Sequence, residues 1–431
     1  MKGLYAFAAL WLLCSSPVTA DQNASVLFGE QHSGGETQRT QSLADYLSAL
    51  KRQTFGYDYA ITEEESIKLR DSWIQPLSVS YTFNRQNPYN GQGAPETQQE
   101  SAAIAVDQPL FRSGGIYYGI KYAEASRDVN RLSIAQQERS LIKQAVELLM
   151  QIKQSDFGIE KQKLQVDNAE INLLQKREQY MSGQLDSGFL NNAVIERNVA
   201  QQALLDLQTA KERLVSAFES ISDLDYRTAK IPFLAQVDES RFMHETIDLQ
   251  LAQRQREQDR LNKNVTLAAY LPSINLQASY NWQKQESFFF AGEQAVKSQP
   301  PETAYYRYGF KASLPLDFNS VNDYEASKLA YLKSQGVIDD TKRSLKALYD
   351  QVMQNIRNIE AKIALSRENE TLYDTLLHDT KEQFAVGYKT EYDVRLLANS
   401  KRIETLNQRI YEIDRQLELL NLYEKLSEPQ S

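Results

Sequence analysis

Side chains able to carry covalent or metal chemistry are few in this chain and do not converge. The histidines are His32, His244 and His378, each in a different segment, and the single cysteine is Cys14. A nucleophile needs a base within reach, and a metal needs several donors at matched spacing. No HExxH, GxSxG or glycine-rich phosphate loop is present. The residues therefore argue against an enzyme, and no cofactor is implied. What the spacing does support is the separation of oil from water. From Ser273, the apolar Ile274, Leu276, Ala278, Tyr280 and Trp282 alternate with the polar Ser273, Asn275, Gln277, Ser279 and Asn281. From Tyr306, the residues Tyr306, Tyr308, Phe310, Ala312, Leu314 and Leu316 alternate with Arg307, Gly309, Lys311, Ser313 and Asp317. Strand side chains alternate faces, so each run has one apolar and one polar face. Runs of about ten such residues suit a strand crossing an outer membrane. A weaker pair lies earlier, with Leu77, Val79, Tyr81 and Phe83 in one strand and Ala102, Ile104 and Val106 in the other.

The elements that must carry these hairpins are helical. Gly and Pro number only 17 and 11, while helix-forming residues abound. Residues 1–20 read as a secretory signal: Lys2, an apolar core from Leu4 to Leu13, and Val18-Thr19-Ala20 before the cleavage point. The competing reading is an N-terminal anchor. Leu13 before Cys14 is not the small residue that lipidation favours, so Cys14 belongs to the signal and the mature chain has no thiol. The net charge of −9 argues against a nucleic-acid partner. No later stretch is apolar enough for a transmembrane helix, so any membrane crossing falls to strands.

Residues 21–41 read as a flexible mature N-terminus. A first repeat follows at 42–224, with a hairpin over about 76–111 and helical arms over about 116–179 and 189–224. A loop rich in Asn, Gly, Pro and Gln is expected near 84–99. The first arm carries Leu141, Ala145, Leu148, Ile152, Ile159, Val166, Ala169 and Leu173 on steps of four and three, interrupted at Ser155 and Gln162. That is a heptad seam. The returning arm carries Ala193, Ala200, Ala203, Leu207, Ala210, Leu214, Ala217, Ile221 and Leu224 on the same steps. A connecting segment, 225–242, contains Pro232. The second repeat, 243–426, has a hairpin over about 273–318, with a loop expected over about 284–303, and arms over about 320–386 and 391–426. Residues 427–431 form a tail. Leu271-Pro272-Ser273-Ile274 corresponds to Gln75-Pro76-Leu77-Ser78, and Tyr180-x-x-Gly183 to Phe384-x-x-Gly387, so the chain is an internal duplication. An arm of about 63 residues would be about 95 Å long.

Four strands cannot close a barrel, and an open edge in lipid is not tolerated. Two copies would give eight strands around a filled interior; three would give twelve with room for a lumen. The competing reading is a soluble sheet with one buried face, which leaves the signal and the arm length unexplained.

The chain resembles the TolC-like outer-membrane efflux proteins over nearly the whole mature sequence. The carrying features are Tyr270-Leu271-Pro272-Ser273-Ile274-Asn275-Leu276 entering a strand, Asp107-Gln108-Pro109-Leu110-Phe111-Arg112-Ser113-Gly114-Gly115 leaving one, and Phe384-Ala385-Val386-Gly387-Tyr388-Lys389-Thr390-Glu391-Tyr392-Asp393-Val394 at the second helical turn. Their order, spacing and duplication carry the resemblance, rather than any one motif. It implies a mainly α fold with membrane β-hairpins. In that fold a homotrimer builds a twelve-stranded barrel in outer-membrane lipid, continued by a periplasmic α-helical barrel. It implies an exit duct for efflux or type I secretion in a Gram-negative cell, working with a periplasmic adaptor (membrane fusion) protein and an inner-membrane pump or ABC exporter. The alternative is a periplasmic coiled-coil scaffold or adaptor without a pore.

In that architecture the two inter-helix turns form the closed periplasmic end. Asp393 matches an acidic position at the constriction, while the second acid one turn later is replaced by Leu396. Three symmetry-related Asp393 carboxylates would favour cations and could bind a divalent ion. Asp393 is equally readable as a helix cap or first-turn acid. Glu391 and Asp186 are further gate candidates, and Tyr388, Tyr392 and Arg395 are candidates for hydrogen bonds that hold the turn shut. Gly183 and Gly387 would end their helices with a left-handed residue at the adaptor-facing tip. Trp73, Trp282 and Phe288–Phe290 would sit at membrane interfaces, with Phe288–Phe290 equally readable as covering the external mouth from a loop. Asn275, Gln277, Ser279, Arg307 and Lys311 would face the lumen.

Overall fold

The computed structural model describes residues 43–86, 96–291, 294–298 and 301–427. The signal segment with Cys14, the stretch 21–41 with His32, the last residues of the tail and the centres of both hairpin loops lie outside the described residues.

Two helices dominate: α2, Gly115–Met181, with 67 residues, and α6, Ser320–Ala385, with 66. At 1.5 Å per residue each is about 100 Å long. Each is flanked by two shorter helices. Helices α1 (Ala49–Arg70) and α3 (Ser187–Glu219) pack along α2, and α5 (Ile247–Ala269) and α7 (Glu391–Lys425) pack along α6. Helix α2 also contacts α5 and α7, which joins the two repeats. An apolar seam of α6 on the same steps of four and three explains the pairing: Leu345, Tyr349, Val352, Ile356, Ile359 and Ile363 are all buried. A short helix, α4 (Glu239–His244), spans the end of the connecting segment and the start of the second repeat.

The core is densest where the repeats meet. Tyr46, Leu149, Met150, Phe218, Phe242 and Leu422 are almost inaccessible there, each contributing about 1.5–3 kcal/mol by leaving water. Helix α3 ends at Glu219 instead of continuing to 224. The reason is local: the Ser48 N–H donates to the Ile221 carbonyl at 2.9 Å, and the Ala49 N–H donates to Asp223 Oδ2 at 2.8 Å. These residues leave the helix to start α1.

The five strands among the described residues form one antiparallel sheet: β1 (Ser78–Gln86), β2 (Glu96–Phe111), β3 (Ser273–Ala291), β4 (Gln294–Ser298) and β5 (Thr303–Ser313). The two hairpins share a seam, because β2 pairs with β3 from Glu96↔Phe288 to Phe111↔Ile274. The expected loop at 284–303 is corrected: β3 runs on to Ala291 and pairs with β4, and β5 pairs with the rest of β3. Alternation of apolar residues stops at Trp282, but hydrogen bonding does not require it. Glu286 is buried there, with Lys284 at 3.3 Å and Lys297 at 2.7 Å. Likewise β1 extends to Gln86 and β2 begins at Glu96, inside the expected loop at 84–99. A side-chain tie links the hairpins where they meet the helices: the Ser113 hydroxyl donates to the Pro272 carbonyl at 2.6 Å.

Candidate functional site at the inter-helix turns

At the first turn α2 ends on Met181 and α3 starts at Ser187. Gly183 has φ +76°, and the Gln184 N–H donates back to the Gln179 carbonyl at 2.9 Å. At the second, Gly387 has φ +83°, and the Tyr388 N–H donates to the Gln383 carbonyl at 2.9 Å. A helix ending this way needs a left-handed residue, which glycine adopts without steric cost. No atom lies within 4 Å of a Cβ built on either glycine, so the demand is one of backbone conformation and not of space.

Both returning helices are capped by their own side chains. Asp186 is the N-cap of α3 and accepts from the Gly188 N–H at 2.7 Å and the Phe189 N–H at 3.4 Å. Thr390 caps α7 in a reciprocal box with Asp393: its hydroxyl accepts from the Asp393 N–H, while Asp393 Oδ2 accepts from the Thr390 N–H at 2.9 Å. That N–H holds the Asp393 carboxyl below the usual carboxylate range against partial burial, with help from the Thr390 hydroxyl and Lys389. Glu391 is exposed in the first turn of α7, and Tyr388 is 85% exposed.

Tyr392 and Arg395 reach across to the other repeat. The Tyr392 hydroxyl donates to Glu178 Oε1 at 3.2 Å, and the Glu178 charge raises the phenol's pKa. Arg395 pairs with Asp167 at 2.6 Å. Asn399 donates to Asp167 Oδ2 at 2.7 Å, and Arg402 pairs with Glu160 at 2.7 Å. Two arginines seven residues apart on α7 thus meet two acids seven residues apart on the antiparallel α2. Sequence reading picks out Tyr392 and Arg395 but not Glu178, Asp167, Asn399, Glu160 or Arg402. The matching seven-residue spacing of the charges is the signal that could have found them. So the structure joins Tyr392 and Arg395 to α2 and pairs Asp393 with Thr390. It leaves Glu391 and Tyr388 in solvent and Asp186 on its own helix. Among the described residues no group of three or more His, Cys, Asp and Glu could hold a metal ion.

Around the turns the surface is apolar for its position: Met181 is 72% exposed and Val386 68%, and Phe189 is exposed beside them. The described residues of the sheet complete the picture at the other end. No helix among them is long and apolar enough to cross a membrane. The outward-parity residues of β3 from Ile274 to Trp282 span about 26 Å at about 3.3 Å per residue, and their partners Ile104, Tyr306, Tyr308 and Phe310 are exposed.

No protein-family model matches the chain, and no curated protein matches it. Solved structures do. The outer membrane protein VceC of Vibrio cholerae superposes with TM-score 0.66 at 12% identity, covering 89% of this chain and 95% of that one. The CmeC outer membrane channel of Campylobacter jejuni gives TM-score 0.66 at 11% identity, over 89% and 84% of the two chains. The open state of the MtrE outer membrane channel of Neisseria gonorrhoeae gives 0.56 at 13%, over 89% and 86%. At these identities the likeness is one of fold.

Proposed function

We propose that this chain, which has the fold of the TolC-like outer-membrane channels, is the outer-membrane duct of a Gram-negative export system. Three copies would close a twelve-strand barrel through lipid, and the helices would continue it as a periplasmic tunnel. One observation carries the reading: the long strands of the sheet have a lipid-length apolar face, and its edge strands β1 and β5 each pair on one side only among the described residues, as a fragment of a barrel would. Unpaired edges cannot stand in lipid, and copies of the same chain satisfy them most simply. The apolar tips around Gly183 and Gly387 would receive a periplasmic adaptor, with the energy coming from an inner-membrane pump or ABC exporter. Efflux and type I secretion use the same passive duct. The turns would form its gate, with Asp393 as an acidic ring able to take a divalent cation, and with Tyr392 and Arg395 holding α7 against α2.

Planar-bilayer conductance of the full chain tests the duct. Discrete small openings, blocked by divalent cations in wild type and less so in Asp393→Ala, are expected. Failure to insert, together with recovery in the periplasmic fraction, would replace the duct with a helical scaffold.

A further inference from the structure

The polar face of the sheet is almost free of charge, and its few charges are concentrated in one place. By register, this face carries Ser78, Ser80, Thr82 and Asn84 on β1, and Thr97, Gln99, Ser101 and Asp107 on β2. On β3 it carries Ser273 through Gln285 at odd positions, and on β5 Thr303, Tyr305, Arg307, Gly309, Lys311 and Ser313. Among the described residues its charged side chains are Asp107, Arg307 and Lys311. The acid is already occupied: Asp107 accepts from Asn275 Nδ2 at 2.7 Å and from Gln277 Nε2 at 2.8 Å. The two cations are held less closely: the side chains of Arg307 and Lys311 are exposed and make no hydrogen bond or ion pair among the described residues, and Lys311 is within electrostatic reach of Asp107 without contacting it.

Between them stands Gly309, opposite Gln277, with no atom within 4 Å of where its Cβ would be. Ser78, Ala105, Asp107, Gln277, Ser279 and Arg307 line a shallow hollow in the sheet beside it. The two cations are four residues apart on one face, about 13 Å along the strand. A glycine there leaves the space between them open, and the surrounding hydroxyls and amides can donate hydrogen bonds. A chain whose overall charge is −9 thus presents a net positive polar face at this level.

We infer that Arg307, Gly309 and Lys311 form a binding station for anionic solutes carrying two or more sulfonate, carboxylate or phosphate groups. The site rests on the duct reading for its place inside the barrel, where three copies would make a girdle of six cations. A low-dielectric wall around it would focus that field. The station would concentrate polyanionic solutes above a periplasmic end proposed to favour cations.

The probe is a pyrene trisulfonate dye, added to the full chain purified in non-ionic detergent and followed by fluorescence anisotropy. Wild type should bind it saturably and more weakly as salt rises. Arg307→Gln/Lys311→Gln should lose about tenfold or more in affinity. Arg85→Gln, a cation lost from the opposite face of β1, should bind as wild type. Absence of binding by wild type, equal binding by the double variant, or an equal loss in Arg85→Gln overturns the station. The exposed positions make misfolding of the double variant a small risk, and circular dichroism with trimer migration checks it. Conductance separates the two ideas: a protein that conducts but binds no dye keeps the duct and loses the station. One that binds dye through Arg307 and Lys311 but never conducts keeps the station and loses the duct.

Discussion

The carboxylate of Asp393 accepts from the Thr390 N–H at 2.9 Å and from the Thr390 hydroxyl at 2.8 Å, both through Oδ2. Within one chain these bonds make it the first-turn half of a capping box, and any gate role between chains is added to that one. Sequence reading leaves cap and gate open because both want an acid at the start of a helix. Only the geometry identifies Thr390 as the cap and Asp393 as its partner. Asp393→Ala should therefore cost about 1 kcal/mol locally, and the adjacent bond after the exposed Lys389 should be cut by trypsin several-fold faster. The pH dependence has a definite sign. Thr390 depresses the folded pKa of Asp393, so the stabilisation is complete above the unfolded carboxylate value of about 3.9 and is lost as pH falls through the lower folded value. The melting temperatures of wild type and Asp393→Ala should differ near neutrality and converge in that acid window. A constant difference across it would mean that the carboxylate charge contributes nothing to the cap.

The long helices were legible because a seven-residue apolar repeat has one structural solution: Ala145 and Ile152 of the α2 seam are buried and its other members half-buried, and Leu345, Tyr349, Val352, Ile356, Ile359 and Ile363 of α6 are buried on the same repeat. The sheet was half legible. Alternation marks the membrane-length part of each strand, but the pairing of β2 with β3 joins residues about 170 positions apart, and no local pattern encodes it. β4 was missed because Gln294–Ser298 forms its hydrogen bonds with little apolar contrast. The contact of α7 with α2 near the turns was also hidden, since Arg395–Asp167 and Arg402–Glu160 are charges lying off the heptad seam. That contact makes its own prediction. Arg395 and Asp167 are 47% and 33% exposed, so the pair is worth about 0.2–1 kcal/mol after solvent screening. A double-mutant cycle with Arg395→Ala and Asp167→Ala should return a coupling of that size in thermal unfolding, and the coupling should shrink at high salt. Openings in the bilayer assay should become more frequent in either single variant, because each loosens the same joint. Additive effects at low salt would mean that the two side chains meet without energetic consequence.

For the whole molecule, the decisive property is that the two faces of a single sheet differ in polarity, which the duct reading explains by two different solvents. Ala103 and Ile104 are neighbours on β2 and point to opposite faces: Ala103 pairs with Ser80 and Asn281, Ile104 with Val79 and Tyr280. A soluble sheet with a buried apolar face and a barrel in lipid both disfavour the substitution Ile104→Arg, but for different reasons. In the soluble case the introduced guanidinium would disrupt a core, and the helices would lose stability with the strands. In lipid the cost is about 2–4 kcal/mol at mid-bilayer and falls on insertion alone. The helical part, whose core lies around Phe218 and Phe242, would melt unchanged. Ile104→Arg should therefore lower the fraction of trimer recovered in liposomes while leaving helical melting in detergent at the wild-type temperature. Ala103→Arg, one residue away, should assemble almost normally, because the water-filled lumen of the proposed duct would accept the charge. Equal assembly of the two variants would show that the apolar face is not in lipid. Loss of helical stability in Ile104→Arg would show that this face packs against protein.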